Sequence, residues 1–148
     1  MAPRAVNTPW DGRVYLADTS AWVRAKHVGR DWQDAIANRQ IATSHMVALE
    51  LLYSVRDGTE FDERAGELSL LPEAPVTPAA FAQARAAFRE LAHRHPLFHR
   101  SVTLSDLITA AAAAVAGIGV LHYDADYDTL ATVLPFESRW IAPRGSLD

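Results

Sequence analysis

Short apolar runs bounded by polar turns alternate along this chain with longer stretches whose apolar positions recur every three to four residues, a rhythm that predicts strands and helices in alternation. Val14 to Ala17 reads as a short buried strand, and Thr19 to Trp22 as the turn into a helix, because Asp, Thr and Ser are natural N-cap residues. A second helix is predicted over Asp31 to Asn38, then a brief strand over Gln40 to Thr43 and a helix from Ser44 to about Val55, broken by Asp57-Gly58. Glu60 to Leu70 reads as helix. Leu71 to Val76, with Pro72 and Pro75, reads as a connector able to carry an edge strand. Pro78 fits the first turn of a helix with Phe81, Ala84, Phe88 and Leu91 at three-to-four spacing, and His93 to Arg100 reads as an irregular basic loop. The remainder predicts a helix over Thr103 to Ala116, a strand over Gly117 to His122, a helix over Asp124 to Thr132 and a last short strand over Arg139 to Ala142.

Strands alternating with helices imply an α/β fold with a short central parallel sheet flanked by helices. Nothing in the pattern marks a repeat, a second domain or a true linker. The expected organisation is a polar, proline-bearing N-terminal extension over 1–13, one domain over 14–143, and a tail over 144–148. The 148 residues, 49% of them hydrophobic, suffice for one core burying about two thirds of the unfolded surface.

Composition narrows the function. There is no cysteine, which excludes thiol catalysis, a zinc–thiolate site and a cross-linked exported scaffold. The N-terminus lacks the apolar core of a secretion signal, and Leu107 to Leu121, the longest uncharged apolar stretch, falls short of the roughly 20 residues needed to span a bilayer. A cytoplasmic location without membrane association is therefore expected. The net charge of -4 argues against a protein that coats nucleic acid, although the basic residues are thirteen arginines and one lysine, Lys26, and arginine suits bidentate phosphate contacts.

The candidate chemistry lies in acids placed where carboxylates are least expected. Asp18 directly follows an apolar run, Glu50 is the sole charge between His45 and Arg56, and Asp106 is the sole formal charge from Ser101 to Tyr123. Asp124 and Asp126 follow another predicted strand. In an open parallel sheet, functional groups gather beyond the carboxyl ends of the strands, so separate segments can deliver these acids to one point. An isolated buried carboxylate neutralises or destabilises the fold, whereas several converging carboxylates can share a divalent cation. All-oxygen ligands favour hard ions such as Mg2+, with Mn2+ as a substitute.

The order and spacing of four segments resemble the PIN-domain nucleases, and within them the VapC toxins of bacterial toxin-antitoxin pairs. They are Leu16-Ala17-Asp18-Thr19-Ser20-Ala21-Trp22, Ala48-Leu49-Glu50-Leu51-Leu52-Tyr53, Ser105-Asp106-Leu107-Ile108-Thr109-Ala110-Ala111 and His122-Tyr123-Asp124-Ala125-Asp126-Tyr127-Asp128. The ending Trp140-Ile141-Ala142-Pro143-Arg144-Gly145-Ser146 also looks like one VapC subgroup. The resemblance implies a PIN-like single domain and a metal-dependent endoribonuclease toxin acting on structured RNA, tRNA or rRNA. It also implies a cognate VapB-type antitoxin, operator DNA bound only through the toxin-antitoxin complex, and a homodimer. By the same analogy Asp18 and Asp106 are the main metal ligands, Asp124 or Asp126 completes the site, and Glu50 binds metal or orients the attacking water. One or two ions fit the same set.

Each residue also has a plainer explanation. Asp18 and Asp106 sit where N-caps or first-turn acids belong, and Glu50 can reach the surface or pair with an arginine. Asp124, Asp126 and Asp128 form an Asp-x-Asp-x-Asp run, but no glycine or terminal glutamate follows at calcium-loop spacing, and Asp128 reads as a solvated first-turn residue. His93, His95, His99 and Arg100 read as a basic loop, with Arg100 placed to approach a phosphate or a site acid; Trp22, Trp32 and Trp140 read as packing rather than base-stacking residues. A phospho-receiver lacks its lysine here, since Lys26 stands alone, and a haloacid-dehalogenase-like phosphatase wants aspartate where Ser20 stands. A flap-type DNA nuclease wants larger insertions. The remaining rival is a non-catalytic PIN-like RNA- or protein-binding module, whose expected signature is a lost acid.

Overall fold

A computed structural model describes residues 11–147 of the chain. Most of the expected N-terminal extension lies outside those residues. Four strands, β1 (Tyr15–Ala17), β2 (Ile41–Ala42), β3 (Gly119–His122) and β4 (Ser138–Trp140), form one sheet in the order β2-β1-β3-β4, all parallel. Among the described residues seven α-helices accompany it: α1 (Thr19–Trp22), α2 (Arg30–Ala37), α3 (His45–Tyr53), α4 (Gly58–Leu68), α5 (Pro78–Arg94), α6 (Leu104–Ala116) and α7 (Asp126–Leu130). The α/β architecture read from the sequence is the one observed.

Strands β1, β2 and β3 are short and buried, so they carry mostly apolar residues at successive positions, whereas the edge strand β4 is only partly buried. Alternation decides which core each side chain enters. Leu16 and Val120 join the cluster that contains Val47, Leu91, Ala110 to Ala113, Tyr127 and Leu130, whereas Tyr15, Ala17 and Leu121 join Ala21, Trp32, Ile41 and Ile141 on the other face. The alanine-rich face of α6 packs against Ala80, Ala84 and Ala87 of α5, where small side chains let two helices lie close. Among the described residues no helix is long and apolar enough to cross a membrane.

Element boundaries depart from expectation where capping and proline decide them. Asp57 ends no helix; its side chain accepts the Glu60 N–H and starts α4 one residue later. The connector through Pro72 contributes one bridge, Thr43 to Glu73, because proline cannot donate to a ladder. The expected basic loop is mostly regular. Helix α5 runs on to Arg94, His95 turns extended because Pro96 follows it, and Phe98–Ser101 close a 3-10 turn after the left-handed Leu97. Helix α7 is shorter than expected at both ends, and β4 begins at Ser138.

Strand order reverses between β1 and β3, which sit side by side although β2 intervenes in sequence. The crevice at their carboxyl ends is the switch point where α/β sheets place ligands. Asp18 follows β1 directly, and Asp124 follows β3 by two residues.

Candidate active site

Asp18 caps α1: its Oδ2 accepts the Ser20 N–H at 3.0 Å and the Ser20 hydroxyl at 2.6 Å, and its own N–H donates to the Leu121 carbonyl at 2.9 Å. The Ser20 hydroxyl oxygen in turn accepts the Tyr123 N–H at 2.9 Å, so the turns leaving β1 and β3 are stitched together. N-capping and a place in the site are therefore the same geometry for this residue. Asp18 as a residue is only 4% exposed.

Asp106 arrives from the opposite side. Thr103 caps α6 by accepting the Asp106 N–H at 3.2 Å, which fixes the acid in the first turn, 6% exposed. Burial, and then the charges of Asp18 and Asp124, push its carboxyl up to about 8. Asp124 Oδ1 accepts the Asp126 N–H at 2.9 Å, bringing both acids to the start of α7. Burial and the Asp124 charge raise Asp126 as well.

Asp106, Asp124 and Asp126 each offer an oxygen within 4.8 Å of the others. Asp18 stands beside this trio, linked to it by Tyr127, whose hydroxyl donates to Asp18 Oδ1 at 2.7 Å and to Asp106 Oδ1 at 3.1 Å. A phenol has one proton to share between the two acids. Glu50, on α3, lies close enough to Asp18 and Thr19 to feel both but is not one of the converging trio. Its carboxyl is raised by burial and then by the Asp18 charge; the Thr19 hydroxyl partly offsets this, but neither Glu50 Oε1 nor Thr19 Oγ1 has a hydrogen-bond partner. Three converging carboxylates with a fourth, Asp18, tied to them through Tyr127 make an all-oxygen donor set that fits a hard divalent cation such as Mg2+ or Mn2+.

Three residues of this neighbourhood escape the sequence reading. Tyr127 is fully buried in the first turn of α7; inward apolar spacing with Leu130 signals its ring but not the target of its hydroxyl. His122, also fully buried, accepts the Asp124 N–H at Nδ1 (3.1 Å) and pairs through Nε2 with Ser138 Oγ (2.7 Å). Burial lowers it to about 4, in keeping with a neutral ring whose Nε2–H donates to Ser138. Ser138 then donates to Asp128 Oδ1 at 2.7 Å, and Trp140 Nε1 donates to Asp128 Oδ2 at 3.1 Å. Asp128, expected to be merely solvated, is exposed yet ties α7 to β4.

The remaining candidates stay outside. His95 packs on Phe98 with ring centroids 4.3 Å apart and His99 on Phe88 at 4.9 Å, and Arg100 makes no ion pair among the described residues. Trp22 meets Trp32 edge-on at 4.8 Å and Trp140 meets His122 at 5.0 Å, as packing residues do. A cavity of about 800 Å³ among Arg13, Tyr15, Gly119 and Glu137 opens where the strands begin, not where the acids gather.

The PIN domain family model matches residues 15–133. Ribonuclease VapC18 of Mycobacterium tuberculosis (strain ATCC 25618 / H37Rv) is 43% identical over 136 residues, covering 90% of this chain and 99% of the relative. Ribonuclease VapC51 of the same strain is 34% identical over 136 residues, covering 90% and 97%. Among solved structures, DNA-bound VapBC from Salmonella typhimurium superposes with a TM-score of 0.66 at 15% identity, covering 88% of this chain and 99% of that one. VapBC2 from Rickettsia felis, bound to a promoter DNA fragment, gives 0.64 at 17% identity, covering 86% and 98%. At such identities the structures speak for the fold.

Proposed function

Because the chain belongs to the PIN-domain family, we propose that it is an endoribonuclease toxin of VapC type, dependent on Mg2+ or Mn2+, that hydrolyses phosphodiester bonds of structured RNA, tRNA or rRNA. The observation that supports this reading is the convergence of Asp106, Asp124 and Asp126, with Asp18 joined to Asp106 through Tyr127 and Glu50 close enough to Asp18 to feel its charge. Relatives named as ribonucleases match nine tenths of the chain. Neighbours solved as VapBC complexes, two of them with DNA, support a VapB-type antitoxin as partner and operator DNA bound through that complex. A homodimer in the cytoplasm completes the reading.

Asp106, Asp124 and Asp126, with Asp18 beside them, would hold the cation. Bound there, it would lower the pKa of a water and offset charge on the phosphate and the departing oxygen. Glu50, whose Oε1 is buried without a hydrogen-bond partner, would bind metal or orient the attacking water. Ser20 holds Asp18, and Thr103 holds the backbone of Asp106, so these acids meet the substrate already in place.

The test is cleavage of total cellular RNA by the purified protein with Mg2+, with EDTA, and as the Asp18→Asn and Asp106→Asn variants. Discrete new ends that vanish with EDTA and in both variants are expected. Cleavage retained by both folded variants sinks the site assignment. No cleavage by folded, antitoxin-free protein moves the reading to a non-catalytic PIN-like RNA- or protein-binding module.

A further inference from the structure

Tyr127 touches two of the site's acids with one atom. Its ring has no freedom to leave: it is fully buried, 4.9 Å from the His122 ring and 6.4 Å from that of Phe136, within the core cluster beneath the sheet's carboxyl end. The hydroxyl is thus a fixed point from which Asp18 Oδ1 lies at 2.7 Å and Asp106 Oδ1 at 3.1 Å. Asp18 is held at its other oxygen by Ser20, at 2.6 and 3.0 Å, so three donors set the plane of its carboxylate. Asp106 interacts with the Thr103 and Asp126 side chains near its own end of the site and with Tyr127 across it. Only the Tyr127 contact comes from an atom that also holds Asp18, an acid belonging to a different part of the chain.

We propose that Tyr127 is a positioning residue of the site: its hydroxyl ties Asp18 to Asp106 across the β1 and α6 segments and holds both in the spacing that a divalent cation of magnesium or manganese type requires. The inference rests on the metal-site reading above. Groups that hydrogen-bond metal ligands from behind fix ligand orientation, and their loss typically weakens metal binding about 10- to 100-fold. The ring alone fills the core. Tyr127→Phe therefore removes the tie and keeps the packing, whereas a purely structural tyrosine would affect stability and leave metal affinity alone.

The experiment is a thermal-shift titration of the full chain with MnCl2 and MgCl2, run on the parent, on Tyr127→Phe and on Tyr15→Phe. The last is a control: Tyr15 loses a hydroxyl bonded to Asp11 and Glu137 at the other end of the sheet. Bound metal raises the melting temperature in proportion to the logarithm of its concentration over its dissociation constant. The expected result is parent-like affinity for Tyr15→Phe and, for Tyr127→Phe, a dissociation constant at least about 10-fold higher, with the Mg2+ level for half-maximal RNA cleavage rising by a similar factor. Parent-like metal affinity in Tyr127→Phe overturns the inference and leaves the metal site standing. Absence of any metal-dependent shift in the parent removes the metal-site reading, and this inference with it. Should Tyr127→Phe not fold, the parent carrying 3-fluorotyrosine at 127 decides: a fluorine resonance that moves with metal at the affinity of the thermal titration supports the tie, and one that ignores saturating metal overturns it.

Discussion

Two side chains at the site carry opposite pH dependences. Asp106, raised from 3.8 to about 8, is a group whose folded form holds its proton longer than the unfolded chain does. Its contribution to stability is fully present below about 4 and is lost as pH rises towards 8. His122, lowered from 6.5 to about 4, does the reverse: its contribution is present above 6.5 and is lost as pH falls towards 4. Between 4 and 6.5 the two slopes oppose; between 6.5 and 8 His122 is neutral in both states and Asp106 acts without that opposition. The metal-free protein is thus expected to lose stability from pH 6.5 to 8, and Asp106→Asn to flatten that decline, as read from melting temperatures in EDTA. Equal slopes in parent and variant would remove Asp106 as the cause. Residue identity alone marks Asp106 as an odd acid in an apolar stretch, but its pKa depends on Asp18 and Asp124, which only folding brings near.

Helix starts do double work, because the residue that ends one segment also aims an acid. Thr103 accepts the N–H of Asp106 itself, so cap and carboxylate are one unit. Thr103→Ala is expected to cost about 1 kcal/mol of stability, measured by denaturant unfolding, and to lower RNA cleavage as well. Lost stability with unchanged cleavage would make the cap structural only. The starts of α1, α5 and α6 were legible because Asp18, Pro78 and Thr103 are local signals that act on their own helix. The ends of α7 were not, because Asp124 satisfies the Asp126 N–H before the helix starts and because Asp128 is held from β4 by Ser138 and Trp140. No pattern within Asp124 to Thr132 encodes those bonds.

For the molecule as a whole, the sheet's order matters more than any single contact. Gly119 on β3 lets the Tyr15 ring lie against bare backbone: a Cβ there would sit 2.7 Å from Tyr15 Cε1 and 2.8 Å from the Glu137 carbonyl oxygen. Gly119→Ala is expected to destabilise the fold by about 1–3 kcal/mol, seen as a lower melting temperature, because β1, β3 and β4 meet at that point and none can yield alone. An unchanged melting temperature would show that Tyr15 can move aside. The α/β class, the alternation of short strands with helices and the candidacy of Asp18, Glu50, Asp106, Asp124 and Asp126 were legible from residue order, because burial periodicity and misplaced charge are written locally. Tertiary structure alone decided that β1 and β3 are neighbours, that Asp106 joins Asp124 and Asp126 while Asp18 is reached through Tyr127, and that His122 supports Asp124 from below. Those facts concern atoms up to 109 positions apart in the chain, and a periodicity of two or 3.6 residues carries no information at that range.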